Sequence, residues 1–210
     1  MVDGTHYFRS QLKAALKTAP WKRLLVIACV FAAALLAWKV QIYRHHLRFV
    51  PDAMNVWWVR YVAEESWGAG LPGGNETGII VYDMPDQTKE SLDTKGLAWV
   101  EALPQPPWPE WRGGYEEWHT TPISTADFAW ADPAKCPPKD SDRYRGFYPN
   151  GCPSISGYMG EYGFDIPFDS DVEKMVNDAL FSRGAYYAFG RIGILILIPA
   201  QQRIVYVYNG

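Results

Sequence analysis

Residues 192 to 208 read IGILILIPAQQRIVYVY, two apolar runs on either side of a break at Pro199 to Gln202. Ile, Val and Tyr suit extended backbone, and two such runs joined by a short polar turn pattern as a β-hairpin. In the first run Ile194, Ile196 and Ile198 alternate with Gly193, Leu195 and Leu197, so both faces of the strand are apolar. A strand with one wet face alternates apolar and polar residues. This one is therefore expected inside a sheet, with both faces covered.

Immediately upstream, Val172, Met175, Val176, Ala179 and Leu180 recur at the spacing of one helix face. Ser170 and Glu173 form an S-x-x-E capping box, and Gly184 follows Arg183 as a stop, which predicts an amphipathic helix with Arg183 in its last turn. Further back, Gly78 to Tyr82 is a strand signal, Asp86 to Lys95 a short helix stopped by Gly96, and Leu97 to Leu103 a further expected strand. Gly68 to Gly78, with five glycines and Pro72, reads as a loop; its Asn75-Glu76-Thr77 matches a glycosylation acceptor. For Met54 to Ala63, periodicity does not separate a strand from a helical turn or two. The chain shows no internal repeat.

The most apolar stretch lies near the start. Leu24 to Trp38 is fifteen consecutive apolar residues, flanked by Trp21, Lys22, Arg23, Lys39 and Tyr43. A bilayer core takes roughly 20 mostly apolar helical residues. Lys39 can reach the far headgroups along its alkyl stem, and Trp21 and Tyr43 suit the two interfaces. A buried helix of a soluble core would carry a polar face, which this run lacks. A cleaved leader would end at a small-residue site, and Ala32 to Ala34 offers one, but Leu35 to Trp38 still follow it and the leader ahead is long. An uncleaved anchor is the expectation. The fold class expected is thus α+β: a single N-terminal transmembrane helix, then a small sheet with one or two packed helices and a C-terminal β-hairpin. The divisions are 1–23, a cytoplasmic basic segment; 24–43, the membrane helix; 44–52, a juxtamembrane neck; and 53–210, an exported domain.

Charge and cysteines bear on orientation. The chain of 210 residues carries a net charge of −3, but residues 1 to 48 hold 8 Lys and Arg against Asp3 alone, while residues 49 to 210 hold 12 against 22 acids. Five basic residues, Arg9, Lys13, Lys17, Lys22 and Arg23, precede the apolar run, and Lys39, Arg44 and Arg48 follow it. That bias favours a cytoplasmic N-terminus and an exported C-terminal domain, which in a bacterium means an inner-membrane protein with a periplasmic domain. Cys136 and Cys152 bracket CPPKDSDRYRGFYPNGC, a stretch without regular period. A disulfide across it is expected to stabilise by roughly 3 kcal/mol and to persist only in an oxidising compartment.

Candidate chemistry is sparse. Glu116-Glu117-Trp118-His119 contains one E-x-x-H, but a carboxylate-bridged two-metal site needs two, and His119 is the only histidine beyond His45 and His46 in the C-terminal part. No metal or cofactor is expected. G-x-S-x-G and the common nucleotide-binding loops do not occur. The acidic balance after residue 48 disfavours nucleic acid. Glu161 and Asp165, near Asp169 in GEYGFDIPFDSD, are the weak alternative for acid and base in glycan cleavage, since such sites combine carboxylates with aromatic platforms.

The strip PQPPWPEWRGGYEEW, residues 104 to 118, is the best candidate for binding a partner. Proline at that density favours an extended course without internal hydrogen bonds, so Trp108, Trp111, Tyr115 and Trp118 need cover either from the domain's own sheet or from a partner. The expected function is that of a membrane-anchored, non-enzymatic accessory subunit whose exported domain binds another envelope or membrane-complex protein. The alternative is a membrane-tethered glycan-binding or glycan-hydrolysing domain.

Overall fold

The structure is a computed structural model that describes residues 20–67, 75–104, 114–126, 128–148, 150–160 and 166–209. It divides into two units, 1–44 and 45–210. The first holds most of helix α1, Pro20–Leu47. Within α1 the span Leu24–Leu47 is long and apolar enough to cross a membrane.

The second unit is α+β, built on one antiparallel sheet in the order β1-β2-β6-β5-β4-β3. The strands are β1 Val59–Trp67, β2 Asn75–Asp83, β3 Trp118–Thr120, β4 Tyr186–Phe189, β5 Gly193–Ile198 and β6 Arg203–Asn209. β5 and β6 form the expected hairpin, with Ile198 opposite Arg203, and both lie inside the sheet. Pro199–Gln201 makes a short 3-10 turn, and Gln202 closes it in the left-handed region at φ 51°.

Side-chain alternation assigns the two faces. Ile80, Tyr82, Leu195, Leu197, Ile204, Tyr206 and Tyr208 share one core with Phe49, Val50, Leu92 of helix α2 (Asp86–Lys95) and Val100 of helix α3 (Leu97–Glu101). Ile79, Val81, Ile194, Ile196, Val205 and Val207 share the other with helices α5 (Ile155–Met159) and α6 (Ser170–Phe181). Helix α4, Asp142–Phe147, lies between the two cysteines in sequence. The sheet is a middle layer, so its central strands carry apolar residues on both sides, and helices contribute from both sides where one or two had been expected.

Several expectations require correction. Leu97 to Leu103 is not a strand: Gly96, at φ +57°, turns the chain straight from α2 into α3, which buries Val100 and half-covers Leu97 and Trp99. The four apolar residues Leu97 to Val100 fit one helical turn as well as a strand, and the covering they receive decides between them. β2 begins at Asn75, so the glycosylation triplet belongs to a paired strand and not to the expected loop. Thr77 is buried and its hydroxyl donates to the carbonyl of Tyr208 at 2.9 Å. Met54 to Ala63 resolves as strand: Met54 only ends a 3-10 turn that begins at Asp52, and Val59 to Ala63 is the first half of β1. Helix α6 is capped by Asp169, whose carboxylate accepts from the Asp171 N–H at 2.7 Å; Ser170 is its first residue, and Arg183 lies past its end.

The residues read as a neck contribute to the core. Phe49 and Val50 of the neck and Met54 just beyond it are buried, and three hydroxyls from the domain donate to carbonyls there: Tyr82 to His46 at 2.6 Å, Tyr115 to Phe49 at 2.7 Å and Thr88 to Met54 at 2.8 Å. The His46 carbonyl accepts from the Phe49 N–H as well, at 3.4 Å, so the Tyr82 hydroxyl fills its second acceptor position.

Candidate functional site

Among the described residues of the second unit, three arrangements are the candidates for polar or ligand-accepting chemistry. The first runs across the sheet edge. Glu64 on β1 lies opposite Gly78 on β2, and Gly78 opposite Tyr208 on β6. Without a side chain at Gly78, the Tyr208 ring can lie over β2, and its hydroxyl donates to Glu64 Oε1 at 2.5 Å. The second oxygen, Oε2, stands 3.0 Å from His46 Nε2. A carboxylate only accepts, so Nε2 bears the proton. Burial pushes the Glu64 carboxyl up, but the hydrogen bonds from His46 and Tyr208, with the charges of His46 and His45, outweigh it and leave the group below its ordinary value. Burial and the neighbouring Glu64 raise the Tyr208 phenol. An acceptor held in its charged form by two donors, one of them a phenol that stays protonated, is built to fix position. Its chemistry is that of a clamp on His46.

The second arrangement centres on Glu173, which is 3% exposed. Ser154 Oγ donates to its Oε1 at 2.5 Å, Ser156 Oγ donates to the same oxygen, and Asn150 Nδ2 donates to Oε2. Asn177, one helical turn on, accepts from the Ile155 N–H at 2.8 Å. The residue expected to close a capping box instead faces inward and organises the chain just after Cys152. Cys136 and Cys152 themselves stand at disulfide distance, with S–S 2.02 Å.

The third is an open cleft of about 720 Å³ beside that loop, lined by Pro122, Ile123, Ala131, Pro133, Pro153 and Phe181 with Ser124 and Thr125. Its lining carries hydroxyls but no charged side chain, which suits an uncharged, mainly apolar group.

Two of the candidate partner-binding residues are placed by the structure. Tyr115 is 2% exposed and Trp118 5%, and both pack in the core that holds Phe49 and Tyr206. Their cover is the domain's own sheet, Trp118 being the first residue of β3. Trp108 and Trp111 lie outside the described residues, as do Glu161 and Asp165. Asp169 serves the α6 cap. His119 is exposed and stacks on Tyr187 with centroids 5.2 Å apart, and Glu116 and Glu117 are exposed beside it. Among the described residues no three His, Cys, Asp or Glu side chains converge to hold a metal. Sequence reading did not find the Glu64 clamp, whose partners are 18 and 144 residues away.

No protein-family model matches the sequence, and neither a curated protein nor a solved structure is detectably similar to it.

Proposed function

We propose that the chain is a single-pass membrane protein with a cytoplasmic N-terminus, whose domain lies on the exported side and acts, without catalysis, as an accessory subunit that binds another membrane or envelope protein. The observation that carries the first half is the surface of α1. Leu24, Phe31 and Leu36 are each about two-thirds exposed, and Leu25, Val26, Ile27, Val30 and Leu35 are more than half exposed. In water each such side chain forgoes about 1.5–3 kcal/mol of burial, whereas lipid supplies it on every side at once. The cysteine pair at disulfide distance and the basic bias before the helix support the orientation.

The partner site is the Pro-rich strip around Trp108 and Trp111. Leu103 and Tyr115, which precede and follow Trp108 and Trp111 in the sequence, are both buried, and two flanking residues held in the core lower the entropy lost on binding a partner. Photo-crosslinkers placed at Trp108 and Trp111 in the native membrane test this reading against a control at exposed His119. The expected result is one discrete adduct from the two strip positions and none from the control. Identical adduct patterns from all three positions would remove the strip from consideration.

A further inference from the structure

Among the described residues from His45 onward, three large apolar side chains stand exposed: Trp57 at 70%, Trp58 at 48% and Val62 at 36%. The tryptophans at 99, 118 and 130 behave differently, being wholly or partly covered against the two cores. Trp57 and Trp58 meet edge to face with ring centroids 5.7 Å apart. The backbone beneath the pair is tied to β2, where the Trp58 carbonyl accepts from the Asp83 N–H at 3.2 Å. A register shift between Val59 and Tyr61 breaks the alternation at the start of β1: Val59 packs against the core that holds Phe49 and Tyr61 against the other, so Trp58 and Val62 do not share a face and the exposed apolar surface is the Trp57–Trp58 pair itself. Arg60 is exposed, with Nε 2.8 Å from Asp83.

Position along the chain narrows the choice of occupant. Nine residues separate Trp57 from Leu47, where α1 ends, and the carbonyls of His46, Phe49 and Met54 between or beside them accept from Tyr82, Tyr115 and Thr88. Those bonds tie the end of the helix and the segment that leads to the pair to one core. Exposed Arg48 follows that end directly. Indole has a large apolar body and one N–H donor, and together with arginine it belongs to the side chains that concentrate at headgroup depth.

We infer that Trp57 and Trp58 form a lipid-docking surface, through which the domain rests on the phospholipid headgroups of the bilayer that holds α1. The inference rests on the membrane reading of α1, and the same experiment separates the failure of one from the failure of the other. The full-length chain is reconstituted into phosphatidylcholine–phosphatidylglycerol vesicles containing lipid brominated near the headgroup, and tryptophan emission is read for the parent, for Trp21→Phe with Trp38→Phe, and for Trp57→Phe with Trp58→Phe. Phenylalanine at exposed positions leaves the fold intact, which resistance to proteolysis checks in each variant. The expected result is that the parent loses emission to bromine and that both double variants show a smaller quenchable component. If all quenchable emission belongs to Trp21 and Trp38, the docking surface is refuted while the anchor stands, and the exposed pair is left for a protein partner. If bromolipid quenches none of the parent's emission, both readings fall.

Discussion

The row Glu64, Gly78, Tyr208 yields the sharpest prediction. A Cβ added at Gly78 would sit 2.7 Å from the Tyr208 oxygen and 2.8 Å from Cε1 and Cζ. Gly78 does not occupy the left-handed region, so alanine meets a steric and not a conformational obstacle. Restoring ordinary contact takes a ring shift of about 0.6 Å, which costs about 1–3 kcal/mol in a packed sheet and drags the hydroxyl off Glu64. Tyr208→Phe removes that hydroxyl directly. Hydrogen bonds to charged groups contribute about 1.5–3 kcal/mol, and the partial exposure of Glu64 points to the lower end. In the double variant the bond is already gone and the ring is free to lean away, so the combined loss should fall short of the sum of the singles by about 1 kcal/mol. Urea titration of the full-length protein in non-denaturing detergent, run as a double-mutant cycle, measures this. Additivity within about 0.5 kcal/mol would refute the reasoning, because it would mean that Gly78 and the Tyr208 hydroxyl act independently.

Three further outcomes follow from the same geometry. Glu64 is held below its ordinary value, so its contribution to stability is complete above about pH 4.3 and is lost as pH falls from there through the folded-state value; Glu64→Gln should flatten that acid limb, and equal acid slopes in the two proteins would contradict the clamp. Glu173→Ala removes the acceptor shared by Asn150, Ser154 and Ser156, strands the donor of the buried Ser154 and should cost about 1–3 kcal/mol, with Glu173→Gln costing less; thermal melts that rank the two variants the other way would oppose it. Reduction of the Cys136–Cys152 pair opens a loop with sequence separation 16 and should lower stability by about 3 kcal/mol, while maleimide should label these cysteines only after reductant.

Legibility in the sequence followed how local each determinant is. The β5–β6 hairpin could be read because Ile194 to Ile198 and Ile204 to Tyr208 are apolar on both faces and the break between them is short. Helix α6 could be read from the spacing of Val172 to Leu180, although its cap could not, since Asp169, Ser170 and Glu173 all offer suitable oxygens and only packing turns Glu173 inward. Strand β4, Tyr186–Phe189, has four residues without alternation and gave no signal of its own; it forms because β5 offers an edge. Gly78 is the instructive case. Glycine read locally suggests a turn, but here it makes room for a tyrosine two strands from the acid it binds, and nothing within ten residues of Gly78 reveals that. The partner strip was read from composition alone, and the structure divides it: Tyr115 and Trp118 find their cover in the core.

The central claim is that α1 resides in lipid. Alkaline carbonate extraction of membranes carrying the full-length chain tests it most directly, because high pH releases proteins held by charge or by partners and leaves those held by a spanning helix. The protein is expected to stay entirely with the pelleted membranes. Recovery in the carbonate supernatant would contradict it.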